Sequence, residues 1–290
     1  MIHLACLLGG DEVGLLPHLV DHYRGLGIES FQLVWHSESA SDPRHELAEA
    51  FLRRAGLTFL HRHVGPYDED LQQRMVRFAM SQNPDDWYVV ADLDELQVTD
   101  RPLLELVELC EREGYDHVNG CFVDRVATDG SFPDVGSASL WQQYPLAGSV
   151  SAGLLRALPL KTTMARGWVD LLPGQHGAPA GRGLPRDRGY VQVHHFKWTG
   201  SVVTRLRRRV ERFSGGAASG MHMAIAREAL TFLEHVERHD GRIDTAFDRF
   251  RLEPCGSGYH DHPRWNEIAD EAQGWRWALR WNRARRSAGA

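Results

Sequence analysis

The first 125 residues alternate short apolar runs with amphipathic stretches, and that alternation narrows the possible folds more than any other property of the chain. Ile2–Leu8 has the pattern of a strand ending at Gly9-Gly10, and Leu15, Leu16, Leu19, Val20, Tyr23 and Leu26 then recur at helical spacing. Pro17 falls in the early turns of that helix, where its missing N–H costs least. Further strands are expected at 30–36 and 57–63, from Trp87 onward, and at 117–123, with helices near 44–54, 69–80 and 103–112. Units of this length join parallel strands through right-handed crossovers. The expected fold class is therefore α/β, with a mostly parallel central sheet flanked by helices. Past Asp124 the alternation stops. Residues 127–190 are rich in Gly and Pro with short apolar pieces such as Leu154–Leu160, and helices resume after Ser201, including Met221–Val236. No repeat or long linker interrupts the chain, so one domain is expected: a βα part over 1–125, a loop-rich part over 126–212 and a helical extension over 213–290.

Composition excludes several classes. A hydrophobic share of 42% and a charged share of 25% are ordinary for a folded domain, and 290 residues are ample for a sizeable core. A net charge of -6 argues against a general nucleic-acid binder, which needs a broad basic surface. Cys6, Cys110, Cys121 and Cys255 form no Cys-x-x-Cys pair, which fits reduced thiols in a cytoplasmic protein better than a disulfide frame or a zinc knuckle. The first apolar run lacks a basic lead and soon meets Asp11 and Glu12, unlike a signal peptide, and no run approaches the ~20 apolar residues of a membrane span.

The segment from Trp87 to Val98 carries the best clue to chemistry. Its apolar run ends in Asp92, Asp94 and Glu95. Carboxylates two apart at a strand's carboxyl end face the crevice where open α/β sheets bind ligands. Hard oxygen ligands there suit Mg²⁺ or Mn²⁺ bridging to phosphate. A solvated acidic turn after a strand has the same appearance, so the surrounding motifs have to decide between the two.

Those motifs are Leu8-Gly-Gly-Asp-Glu12 after the first strand, His18-Leu-Val-Asp-His-Tyr-Arg-Gly-Leu-Gly27 on the first helix, Asp92-Leu-Asp-Glu95, Val123-Asp-Arg-Val-Ala-Thr-Asp-Gly130, Lys161 with Gly174-Gln-His176, and Val193-His-His-Phe-Lys-Trp198. In this order they resemble the family-2-like glycosyltransferases of the GT-A fold, over roughly residues 2–212. The resemblance implies transfer of a sugar from a nucleotide-sugar donor to an acceptor hydroxyl, with inversion the expected course and Mn²⁺ or Mg²⁺ between the acidic motif and the diphosphate. It implies Asp94 as direct metal ligand, Asp92 on the ribose or a metal-bound water, and His195 or its neighbour His194 as the histidine completing the metal site. His176 is second choice, and Lys197 beside the pair is suited to neutralise phosphate. It implies donor contacts at Leu8, Gly9, Asp11, Glu12, His36 and Ser37. The chain departs from the family at Asp11, where the family has Asn, and at His36-Ser37, where it has Asp, both at positions implied to meet the nucleotide.

A general base is needed to take the acceptor's proton. Asp124, at the end of the strand after the acidic one, is the candidate, with Asp134 and Asp170 as alternatives, a surface salt bridge to Arg125 being the plain explanation of Asp124. Glu95 is expected to orient a ligand or the acceptor. Gln72, Gln73 and Arg74 face either the donor or solvent. The rival enzyme class is a haloacid-dehalogenase-like phosphatase, which Val90-Ala-Asp-Leu-Asp-Glu95 resembles, but Leu96 and the three strands before Asp92 fit that motif poorly. A glycosyltransferase-like domain that only binds a partner comes third, because both aspartates are kept. Arg205, Arg207, Arg208, Arg209 and Arg212 fit a solvated helix face. The tail 275–286, with three Trp and five Arg, fits a helix docked on its own domain, or else a membrane-surface or partner contact.

Overall fold

Trp87–Val90 is apolar at every position, the pattern of a strand covered on both faces. In the computed structural model of the chain all four residues are buried. The structure describes residues 1–67, 70–213 and 220–275; the side chains of Asp11 and of residues 220–222 lie outside the described residues.

The first elements are β1 (Ile2–Gly9), a 3-10 turn over Gly10–Leu15, α1 (Leu16–Gly25), β2 (Ser30–Ser37), α2 (Pro43–Arg54), β3 (His61–Val64), α3 (Leu71–Met80), β4 (Trp87–Val90), β5 (Glu95–Val98) and α4 (Leu103–Glu113). They are followed by β6 (His117–Val126), α5 (Leu140–Gln143), β7 (Leu146–Gly148), β8 (Leu160–Arg166), β9 (Val191–His195), α6 (Val202–Phe213), α7 (Gly220–Arg238) and β10 (Glu253–Pro254). The expected strand at 57–63 is displaced to 61–64. Leu57 is used up in closing α2, its N–H bonding to Leu52 O at 2.8 Å, so pairing with β2 starts only at Val34 opposite His61. Among the described residues no helix is long and apolar enough to cross a membrane.

Two compact units form, one from residues 1–121 and 161–193, the other from 122–160 and 194 onward. In the first, β1 pairs in parallel with β2 on one side and β4 on the other, β2 pairs in parallel with β3, and β4 pairs antiparallel with β8. The sheet is thus α/β and mostly parallel, with helices packed on it. Ala5, Val34, Tyr88, Val90 and Ala165 from the sheet and Val76, Ala79 and Met80 from α3 make one core. Each large side chain fully buried there contributes about 1.5–3 kcal/mol. At the amino edge of the strands His3 bridges Ser30 Oγ at 2.7 Å and Asp86 Oδ2 at 2.9 Å, tying β1 to the start of β2 and to the turn before β4.

The second unit packs α6 and α7 together, with Trp198 stacked on Phe232 at 4.6 Å between ring centroids and Phe250 fully buried beside them. Arg125 is a correction to the sequence reading. Expected on the surface beside Asp124, it is buried, donates to the carbonyls of Cys255 and Gly256 at 2.9 Å, and lies 4.6 Å over the Trp141 ring. Its burial lowers its pKa to about 10. The aromatic faces and carbonyls of this unit supply the environment a surface carboxylate was expected to give. Residues 265–275 are helical; the rest of the Trp- and Arg-rich tail lies outside the described residues.

Candidate functional site

Strand order in the first unit reverses at β1. The chain proceeds outward from β1 to β2 and β3, then returns to place β4 on the opposite side of β1. Such a reversal leaves a crevice outside the carboxyl ends of the two strands that flank it. Gly9 ends β1 and Gly10 follows it at that edge, and Asp92, Leu93 and Asp94 follow β4. The sequence candidates Leu8, Gly9, His36, Ser37, Asp92, Asp94 and Glu95 therefore end on one edge of one sheet.

The acidic turn is held by its own members. Glu95 N–H donates to Asp92 O at 3.1 Å, and Glu95 Oε2 accepts from Asp92 N–H at 2.9 Å, closing the turn from both sides. Leu93 and Leu96 are buried and anchor it. Gln97 Nε2 donates to Val90 O at 2.8 Å, joining the strand before the turn to the one after it. Helix α1 braces the same strand from behind: Tyr23 Oη donates to Glu95 O at 3.0 Å, and His22 Nε2 donates to Gln97 O at 2.8 Å. The His22-Tyr23 pair of the first-helix motif thus holds the acidic turn in place.

Lys161, on β8, has a fully buried side chain, and its Nζ lies 2.7 Å from Glu95 Oε1 and 3.3 Å from Asp92 Oδ2. Burial alone lowers the lysine's pKa, but the charges of Asp92 and Glu95 outweigh it and raise the pKa above its ordinary value. Asp92 Oδ1 accepts from Gln72 Nε2 at 2.6 Å. Glu95 is 1% exposed at the side chain and Asp92 28%. Glu95 and Lys161 accordingly pair inside the protein, with Asp92 at the more exposed edge of the same cluster. The sequence reading missed this use of Lys161; the signal was a single lysine beside the apolar run 154–160. Cys6 lies beneath the turn, its thiol pushed well above the ordinary range by burial and then by the nearby carboxylates.

Along the same edge Gly9 abuts β2 so closely that an added Cβ would sit 2.9 Å from His36 O. His36 Nε2 donates to Gly65 O at 2.9 Å, and its ring stacks on His63 at 5.9 Å and meets Tyr67 at 5.6 Å. Ser37 is buried and donates to Ser39 O at 2.9 Å. Glu12 is half-buried in the 3-10 turn, and the Asp11 side chain lies outside the described residues.

Asp124, His194, His195 and Lys197 belong to the second unit. Asp124 is 1% exposed and accepts from Ser151 N at 2.6 Å, Ser151 Oγ at 2.7 Å and Trp198 Nε1 at 3.3 Å. Burial pushes its pKa up, but His195, Lys197 and Ser151 together hold it below the usual carboxylate value. His195 stands with Nδ1 3.6 Å from Asp124 Oδ1 and stacks on Phe122 at 4.9 Å. His194 is fully buried, edge-on to Trp141, and Lys197 Nζ lies 4.5 Å over the Trp198 ring. Of the alternative bases, Asp170 pairs with Arg77 at 2.7 Å.

Among the described residues no group of three or more His, Cys, Asp or Glu side chains is arranged to hold a metal ion. Mg²⁺ and Mn²⁺ do not require one. They are commonly bound through one or two carboxylates, with substrate phosphate and water filling the remaining positions. The Asp92 and Asp94 pair, relieved of Glu95 by Lys161, fits that mode.

No protein-family model matches the sequence, and no curated protein matches it. Among solved structures, a Bacillus anthracis protein described as a glucose-1-phosphate thymidylyltransferase, solved with sucrose, is 10% identical over 84% of this chain and 85% of its own, with a TM-score of 0.31. Residues 1–349 of S. aureus TarS are 12% identical over 83% of this chain and 74% of that fragment, with a TM-score of 0.33. Likenesses this distant identify no activity, and the functional reading below rests on the side chains.

Proposed function

We propose that the chain is a nucleotide-sugar-dependent glycosyltransferase whose donor binds over the carboxyl ends of β1 and β4. One observation carries the reading: the switch point of a mostly parallel sheet bears an open glycine, Gly10, on one side and an acidic turn held by Gln72, Gln97, Lys161 and helix α1 on the other. The backbone at Gly10, with open space where a side chain would stand, admits the donor closely, His36 and Ser37 border its nucleoside, and Asp92 and Asp94 face its diphosphate. Asp92 and Asp94 are the residues that would hold a divalent ion, which would neutralise charge on a departing nucleoside diphosphate. Glu95 and Lys161 keep the two aspartates in register, so that little reorganisation is needed when charge develops. Asp124, kept ionised by His195, Lys197 and Ser151, is the candidate proton acceptor within the second unit.

The test is turnover across a panel of nucleotide-sugars in Mn²⁺ or Mg²⁺, beside an aryl phosphate. The expected result is slow hydrolysis of one nucleotide-sugar to sugar and nucleoside diphosphate, water replacing the acceptor, with the aryl phosphate untouched. Rapid aryl phosphate hydrolysis that is lost in Asp92→Asn, with no nucleotide-sugar cleaved, would identify Asp92 as a phosphatase nucleophile and overturn the proposal.

A further inference from the structure

The segment after β8 climbs back along α3. Arg77 Nη1 donates to Trp168 O at 3.1 Å and pairs with Asp170 at 2.7 Å, and four residues nearer the start of the helix Gln73 Nε2 donates to Leu171 O at 2.5 Å. The turn Pro173–Gln175 then packs on α3. Gln72, which follows Leu71 at the start of α3, is the residue that holds Asp92. The climb thus delivers Gln175 to the end of α3 that serves the acidic turn.

Gln175 is unlike its surroundings in two ways. It is 2% exposed, and neither Oε1 nor Nε2 has a hydrogen-bond partner among the described residues. Buried side-chain amides are nearly always paired, because losing water without a replacement is costly, so an exception calls for a functional explanation. Its backbone is also held at φ +55, a region that residues other than Gly, Asn and Asp rarely adopt. Unusual φ values of this kind collect at ligand sites, where surrounding structure enforces them. Here Leu172 N–H to Gly177 O at 2.8 Å closes the base of the loop, and Gln175 N–H to Leu172 O at 2.8 Å fixes its tip. Gly174, at φ +66 with the His176 ring where its side chain would stand, and Gly177 flank the residue.

We propose that Gln175 reads the donor's nucleobase, its amide forming a paired hydrogen bond with a base edge that offers a donor beside an acceptor. The inference rests on the donor site proposed above. A neutral amide with both ends vacant is mismatched to a metal ion or a phosphate, which take charged partners or several N–H groups in one direction. It matches the adjacent donor and acceptor of a base edge, as glutamine does in bidentate base recognition. Helix α3 packs against β1 and β2, the strands whose ends border the nucleoside in that reading.

The experiment is calorimetric titration of the full-length protein with UDP, CDP, ADP and GDP in Mn²⁺, with inorganic pyrophosphate as the base-free control, for the parent, Gln175→Met and Gln175→Asn. Met preserves length without polarity. Asn tolerates the backbone conformation but retracts the amide by one carbon, which guards against a folding failure. The parent is expected to prefer one nucleotide at least tenfold. Both variants should lose that preference, pyrophosphate binding should stay within twofold of the parent, and ligand-free Gln175→Met should melt no lower than the parent. Unchanged base preference in the variants, or equal weakening toward all four nucleotides and pyrophosphate, would overturn the role of Gln175 alone. Failure of the parent to bind any of the four would overturn it together with the donor site.

Discussion

Replacing Lys161 with Met tests the electrostatic design of the acidic turn. The side chains of Lys161 and Glu95 are 0% and 1% exposed, 2.7 Å apart, so the mutation strands a carboxylate in the interior without its cation. Removing one partner of a buried pair costs about 3–5 kcal/mol, a large fraction of the roughly 5–15 kcal/mol that keeps a domain folded. The 3.3 Å contact to Asp92 adds little, because that carboxylate is 28% exposed and solvent screens it. At roughly 2–4 °C per kcal/mol for a protein of this size, the melting midpoint should fall by about 6–20 °C. Urea unfolding at pH 7 measures the loss directly. Adding Glu95→Gln to Lys161→Met removes the stranded charge while keeping an acceptor for Asp92 N–H, and it should restore most of the stability. A single-mutant loss below ~1 kcal/mol, the worth of an exposed pair, or a double mutant as unstable as the two singles combined, would refute the assignment of this pair as the anchor of the turn.

Acidification supplies another check. Burial holds the pKa of His22, His235 and His262 below the ordinary histidine value, and His262 is fixed neutral by donating from Nε2 to Ala147 O at 2.9 Å while Nδ1 accepts from Arg264 N at 3.1 Å. Stability should be complete above pH 6.5 and fall below it, by at most about 1.4 kcal/mol per pH unit for each histidine, as the unfolded chain takes up protons that the folded one refuses. His262→Gln should flatten melting temperature against pH between 6.5 and 5, and an unchanged slope would contradict the assignment. All four cysteines are free and buried, with Cys110 and Cys121 pushed up to about 12 by burial, so a thiol reagent at pH 8 should label the native protein slowly and all four sites after unfolding. A fast native thiol would show the burial to be wrong.

The alternation of apolar runs and amphipathic stretches made the parallel sheet legible, because period and length are local properties of sequence. The acidic turn was legible for the same reason, as polar residues ending a run such as Trp87–Val90 have few places to go. What was hidden is long-range. Lys161 is 66 positions from Glu95, and the apolar run beside it hints at burial but does not name the carboxylate it meets. His22 and Tyr23 stood in the first-helix motif, but sequence assigned them no partner, and only the fold shows them bonded to the backbone of β5. Arg125 was misjudged because charge argues for the surface; stacked aromatic rings and two backbone carbonyls made burial tolerable. The division of the chain at Cys121 and Val193 falls inside β6 and β9, where apolar strand sequence gives no boundary signal.

The central claim is that Asp92 and Asp94 serve a metal–diphosphate ligand at the switch point. The most direct measurement is binding of nucleoside diphosphates with and without Mn²⁺ to the parent and to Asp94→Asn, an isosteric change at a 9% exposed position. The parent should bind at least one nucleotide only when Mn²⁺ is present. Asp94→Asn should keep its melting temperature without ligand and weaken the Mn²⁺-dependent binding by roughly tenfold or more, since affinity for hard cations follows the number of charged oxygen ligands. Equal Mn²⁺-dependent binding by mutant and parent would contradict the account.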